Sequence, residues 1–174
     1  TGKTPLAIKS ENIMNSSKLN SVIIKKFYKS QLDEQLLIKK YSKLICKKKR
    51  LDAVKEAKVK NFKYAIFDDG LQDNSIDYDI KIVCFNNIQW IGNGFLIPAG
   101  PLREKLDSIK KYDAIIINGD PRLNGDLVNE INKIKTDLQI FETKYEISNL
   151  EEFDKKINYV IFSGIGNPKN FLKT

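Results

Sequence analysis

The sequence predicts an α/β protein, a doubly wound and mostly parallel sheet with helices on both faces. Three observations carry that expectation. Short apolar runs at Val22-Ile23-Ile24, Tyr64-Ala65-Ile66-Phe67 and Ala114-Ile115-Ile116-Ile117 have the length and texture of buried strands. Segments of helical period separate them. The second run stops at Asp68-Asp69-Gly70, a charged turn at a strand's C-terminal end, where parallel sheets place ligand-binding residues.

Taken in order, Thr4 to Met14 reads as a short helix with Pro5 in its first turn, where a missing N–H is harmless. Asn15 to Asn20 is a polar turn, and Ser21 to Phe27 a strand. Asp33 to Tyr41 is expected to be helical, with Leu32, Leu36, Leu37 and Lys40 stepping round one face and Asp33 as N-cap. A short strand at Lys43 to Lys47 and a helix at Asp52 to Lys60 follow. Strands are expected at Tyr64 to Phe67, Tyr78 to Phe85 and Asp113 to Asn118. Beyond Asn118-Gly119, Leu123 to Lys135 is polar with a weak helical period, and Leu138 to Ile147 alternates like an exposed strand. Tyr159 to Ser163 reads as a buried strand running into Gly164-Ile165-Gly166-Asn167-Pro168, with a helix from Lys169. The expected organisation is an α/β lobe over residues 1–125 that lacks its first strand, a linker with a β-strand over 126–150, and the start of a second α/β lobe over 151–174.

Composition narrows the function classes. Of 174 residues, 41% are hydrophobic, enough for a core rather than disorder. Thirty basic against 22 acidic residues give a net charge of +8, which suits phosphates or an acidic bilayer surface but also describes lysines spread over solvated faces. The densest run, Lys47-Lys48-Lys49-Arg50, has no interleaved aromatics, so nucleic acid is not an expected partner. No apolar stretch reaches the roughly 18 residues of a membrane span. Cys46 and Cys84 lack metal-type spacing and are expected to be buried thiols. With no histidine, no imidazole in this chain acts as acid, base or ligand.

Four segments carry chemistry. Thr1-Gly2-Lys3-Thr4 matches the back half of the G-x-x-x-x-G-K-[ST] phosphate loop of P-loop nucleotide-binding proteins. There the backbone N–H groups hold phosphate oxygens, the Lys reaches the β/γ-phosphates and the Thr hydroxyl meets Mg²⁺. Asp68-Asp69 stands where the partner acid of such a loop belongs, although Asp-Asp-Gly also makes a good tight turn. Asp33-Glu34 opens a helix, which simple capping and a dipole contact would also explain. Gly92-Asn93-Gly94-Phe95-Leu96-Ile97-Pro98-Ala99-Gly100-Pro101-Leu102-Arg103-Glu104 is too apolar for a solvent loop and too rich in Gly and Pro for a helix or strand. It delivers an Arg-Glu pair at its end, suited to a phosphate oxyanion.

Together these segments resemble the tetraacyldisaccharide 4'-kinases, the lipid A 4'-kinases of Gram-negative bacteria, in TGKTP (Thr1–Pro5), DE (Asp33–Glu34), DDGLQ (Asp68–Gln72) and GNGFLIPAGPLRE (Gly92–Glu104). The resemblance implies transfer of the γ-phosphoryl of ATP, with Mg²⁺, to the 4'-hydroxyl of a tetraacylated glucosamine disaccharide 1-phosphate. It places that reaction at the cytoplasmic face of the inner membrane, by peripheral contact and with no obligate protein partner. Carried over, Thr1, Gly2, Lys3 and Thr4 would bind nucleotide, and Thr4, Asp68 and Asp69 would lie at the metal. Asp33 would help deprotonate the sugar hydroxyl beside Glu34, while Gln72, Arg103 and Glu104 would line the cleft, Arg103 neutralising transferred charge. The family fold adds an amino-terminal membrane-associating helix, the front of the phosphate loop and a later His. The chain is therefore expected to be a piece truncated at both ends and inactive alone. Departures from the family pattern are Asp73 in place of a His, Lys25-Lys26-Phe27-Tyr28-Lys29-Ser30 in place of an S-R-G-Y-G-type loop, a shorter approach to Asp33, and Gln35 in place of a Pro. They leave the alternative of a diverged, non-catalytic nucleotide- or lipid-binding relative; a further alternative, an unrelated P-loop ATPase, would use the same Lys3, Thr4 and Asp68.

Overall fold

The computed structural model describes residues 2–146, 149–154 and 156–160. They fall into two compact units, divided between Lys81 and Ile82.

In the first unit, strands β1 (Ser21–Lys26), β2 (Leu44–Lys47) and β3 (Tyr64–Asp68) form a parallel sheet in the order β2-β1-β3. Parallel neighbours need crossovers, and helices supply them. They are α2 (Leu32–Tyr41), between β1 and β2, and α3 (Arg50–Val59), between β2 and β3; α1 (Lys3–Ser16) precedes β1. Strand alternation then sorts the side chains of β1. Val22 and Ile24 pack with Ala53 and Ala57 of α3, whereas Ile23 packs with Ala7 of α1 and Ile38 of α2. Helices therefore cover both faces of this sheet, and β1 is its buried centre.

Local details depart from the sequence expectation in instructive ways. Gln31, not Asp33, is the N-cap of α2, because a 3₁₀ turn at Lys29–Gln31 feeds directly into the helix and starts it earlier. Asp33 and Glu34 sit in the first turn, where carboxylates still favour the helix dipole. Strand β3 was expected to be buried throughout. It is an edge strand with Tyr64 and Ala65 exposed, and only its Asp68 end is buried. The basic run also differs from a solvated face, since Arg50 is buried.

In the second unit, β4 (Ile82–Asn86), β5 (Ala114–Asn118) and β6 (Gln139–Thr143) form another parallel sheet in the order β4-β5-β6. Ile115 and Ile117 of β5 pack with Ile109 of a 3₁₀ segment (Leu106–Lys111) and with Leu127 and Ile131 of α4 (Gly125–Ile134). The period over 123–135 is stronger than it reads: Leu127, Val128, Ile131 and Ile134 line one face.

The strand expected from Tyr78 begins only at Ile82. Tyr78 instead closes the preceding loop within the first unit, packing edge-on to Phe67 at 5.1 Å and donating its hydroxyl to the Gly70 carbonyl at 2.9 Å. The strand expected over Leu138–Ile147 is confined to Gln139–Thr143. Tyr159 and Val160 are exposed and outside any strand; the rest of that expected strand, the Gly164–Pro168 segment and the helix from Lys169 lie outside the described residues. The described chain is thus a mixed α/β structure with two parallel sheets and flanking helices.

Candidate functional site

Two of the predicted segments meet at the C-terminal end of the first sheet. Gly2 takes a left-handed φ of 83° before α1, a conformation nearly free of cost for glycine. It directs Lys3 and Thr4 toward the end of β3. The Thr4 hydroxyl donates to Asp68 Oδ2 at 3.0 Å, and Lys3 Nζ pairs with Asp69 Oδ1 at 2.9 Å. Asp69 itself has φ 58°, tolerable for an aspartate in a turn, so the two adjacent carboxylates diverge. Thr1 lies outside the described residues.

The third participant is Lys25, which the motif reading missed. It is the register partner of Asp68 across β1 and β3 and shares the Ile23 face, toward α1 and α2. Its ammonium donates to Asp68 Oδ2 at 2.6 Å and to Glu34 Oε2, in the first turn of α2, at 2.7 Å. Burial alone would lower the Lys25 pKa, but its hydrogen bonds to Asp68 and Glu34, with their charges, outweigh it and raise it above the ordinary lysine value. A sequence signal existed: the alternation Ser21, Ile23, Lys25 places a lysine on a buried strand face. Asp68 is almost wholly buried, and its Oδ1 has no hydrogen-bond partner.

Around this cluster, Gln72 is exposed in the following turn and Asp33 is exposed on α2. Asp73, where the family pattern has a His, is engaged. It accepts from Ser75, and Arg50 Nη1 donates to it at 3.0 Å while Nη2 donates to the Asp69 carbonyl at 2.5 Å. The Ser75 hydrogen bonds and then Arg50 hold its carboxyl down at about 2. The extra anion is therefore matched locally by a buried arginine.

The glycine-proline segment belongs to the second unit. It folds on its own backbone: Ile97 N–H donates to Leu102 O at 2.8 Å, Leu102 N–H to Phe95 O at 3.2 Å, and Asn93 Nδ2 to Ala99 O at 2.9 Å. A side chain at Gly100 would collide with Asn93 and the Phe95 carbonyl. Contrary to expectation, the apolar tip is exposed, Phe95 and Ile97 each at 62%. Backbone hydrogen bonds and glycine geometry, rather than burial, hold this loop.

Arg103 is exposed at its end, and Glu104 accepts from the buried Tyr112 hydroxyl at 3.1 Å. Burial first, and then the Glu104 charge, pushes the Tyr112 phenol up to about 12 from 10. A raised folded-state value means the contribution of the neutral phenol is intact below pH 10 and is lost as pH climbs through about 12. Urea melts of the full-length protein should lose stability over that alkaline interval, and Tyr112→Phe should flatten the slope. An unchanged slope in the variant would remove Tyr112 as its cause.

Among the described residues no three His, Cys, Asp or Glu side chains converge on a metal-sized site, and no helix is long and apolar enough to cross a membrane. Cys46 and Cys84 are in no disulfide, and both are half-buried rather than fully buried as expected.

A family model described as Tetraacyldisaccharide-1-P 4'-kinase matches residues 1–174. The chain is 46% identical over 173 residues to the "Tetraacyldisaccharide 4'-kinase" of Pelagibacter ubique (strain HTCC1062), covering 99% of this chain and 55% of that protein. It is 32% identical over 194 residues to the protein of that name from Rickettsia bellii (strain OSU 85-389), covering all of this chain and 58% of the relative. For Rickettsia canadensis (strain McKiel) the figures are 31% over 194 residues, with 100% and 57% coverage. The chain spans somewhat more than half the length of these curated relatives.

Proposed function

We propose, from the established premise that this chain belongs to the tetraacyldisaccharide-1-P 4'-kinase family, that its whole protein phosphorylates a lipid-linked sugar with ATP. The acceptor is the 4'-hydroxyl of a tetraacylated glucosamine disaccharide 1-phosphate, a step in lipid A biosynthesis. Family membership removes the unrelated P-loop ATPase reading. The observation that supports the active-enzyme reading most is the meeting of Lys3 and Thr4 with Asp69 and Asp68 at the sheet's C-terminal end.

In this reading the first lobe, over 1–125, is a doubly wound P-loop kinase fold, followed by a linker over 126–150 and a second lobe beginning at 151. Thr1, Gly2 and Lys3 hold the nucleotide phosphates. The Thr4 hydroxyl and the unpartnered, buried Asp68 oxygen fit Mg²⁺, a hard cation that takes few protein oxygens and completes its shell with water and phosphate. Asp69 stands beside them. The metal would supply charge neutralisation at the transferring phosphoryl group. Asp33 takes the proton of the sugar hydroxyl, with Glu34 beside it. Gln72 in the first unit, and Arg103 and Glu104 in the second, are further residues of the family pattern, and the exposed Arg103 suits phosphate charge. The net charge of +8 suits peripheral contact with the anionic cytoplasmic face of the inner membrane.

The test is transfer of label from γ-labelled ATP to the disaccharide 1-phosphate by full-length protein. Labelling should require divalent metal and fall at least about a hundredfold in Lys3→Ala, as removal of a transition-state cation does. ATP binding without any labelling would favour the non-catalytic relative.

A further inference from the structure

Lys25 is not explained by the phosphate-loop reading. A lysine on the buried face of a central strand carries a desolvation cost that only close anions offset. Its side chain is 4% exposed, and its two partners differ: Asp68 at 1% exposure and Glu34 at 43%. Asp68 Oδ2 is shared between the Lys25 ammonium and the Thr4 hydroxyl, while Oδ1 has no partner. Charge accounting over the cluster gives two cations (Lys3, Lys25) against three anions (Glu34, Asp68, Asp69), a net of 2 − 3 = −1. A divalent cation alone would take it to +1, with the lysine ammonium a few ångströms from the metal. The phosphates of a nucleotide would more than offset that positive charge.

We propose that Lys25 is the resident counter-cation of Asp68, and that it makes metal loading depend on the nucleotide's phosphates. Lys25 satisfies the buried carboxylate when no metal is bound, so the site has little use for a free dication. When a metal–nucleotide complex arrives, Lys25 remains on Oδ2 and Glu34, keeps the Asp68 plane fixed, and leaves Oδ1 for the metal. The strand position matters: because Lys25 and Asp68 are register partners in a parallel pair, the ammonium stays beside the carboxylate without help from a loop. This inference rests on the reading of Asp68 as a metal-side acid.

The experiment is Mn²⁺ binding to the full-length protein, followed by the paramagnetic signal of free Mn²⁺. Wild type should bind Mn²⁺ weakly alone and tightly with ADP. Lys25→Met should bind Mn²⁺ without nucleotide at least about tenfold more tightly than wild type, shrinking the gain from ADP, since loss of a nearby like charge favours the dication. Lys25→Gln, which retains a polar head and is less prone to misfold, should do the same, whereas Lys25→Arg should behave as wild type. Unchanged nucleotide-free affinity in the neutral variants, with ADP-dependent binding intact in wild type, overturns the role of Lys25 alone. If wild type binds no Mn²⁺ even with ADP, or if Asp68→Asn leaves that binding unchanged, the metal-side reading of Asp68 fails and the inference falls with it.

Discussion

Asp68→Asn in the full-length protein should reduce phosphoryl transfer at least about a thousandfold, because the amide cannot supply charge at the point where phosphoryl transfer is controlled by electrostatics. The same change should also cost stability. Asp68 and Lys25 are buried against each other at 2.6 Å, and removing one member of such a pair leaves the other's charge inadequately compensated. Such losses run to about 3 kcal/mol or more, moderated here because Glu34 still reaches Lys25. Urea melts measure the second effect and turnover at saturating ATP the first. Asp69→Asn is the informative companion, since Asp69 pairs with a partly exposed Lys3 and should cost much less stability. Turnover within tenfold of wild type in a folded Asp68→Asn protein would remove Asp68 from the site.

Gly119→Ala should destabilise the second unit by about 3 kcal/mol through backbone strain and a broken polar network. Gly119 has φ 143°, a region that L side chains rarely adopt, and an added Cβ would run into the Asn87 side chain. Asn87 cannot move freely. Its Nδ2 donates to Asp120 O at 2.7 Å and to Asn124 Oδ1 at 2.7 Å, and Asn124 in turn donates to Glu142 at 2.8 Å. Gly125→Ala is the control: nothing lies within 4 Å of the added atom, and alanine suits a helix start. The expected order is a large loss at 119 and little change, or a slight gain, at 125. Equal effects at the two positions would show that the Asn87 contact does not govern Gly119.

The sheets and their helices were legible wherever a strand or helix carries its own periodicity. The centres of β1 and β5 are wholly apolar on both faces, and the apolar row of α4 recurs at helical spacing. What the sequence hid depended on partners distant in the chain. Tyr78 resembles the first residue of a strand until Phe67 and the Gly70 carbonyl capture it. Arg50 resembles the end of a solvated basic run until the Asp69 carbonyl and Asp73 bury it. The Lys3, Thr4, Asp68 and Asp69 grouping was readable because the phosphate-loop motif has a mechanism attached. Lys25 was read as part of a divergent loop, although its position on the Ile23 face marked it as inward.

The two sheets secure their central strands differently: β1 carries Lys25, clasped by carboxylates, one residue before its end, and β5 ends on Asn118, which accepts from the Thr143 hydroxyl. The first clasp is made of ions and ties β1, β3 and α2 together, so its strength depends on the formal charge brought near it. The second is made chiefly of amides and a hydroxyl, with the Glu142 carboxylate accepting from Asn124. One half of the described chain thus secures its central strand with formal charge, the other mainly with neutral polar groups.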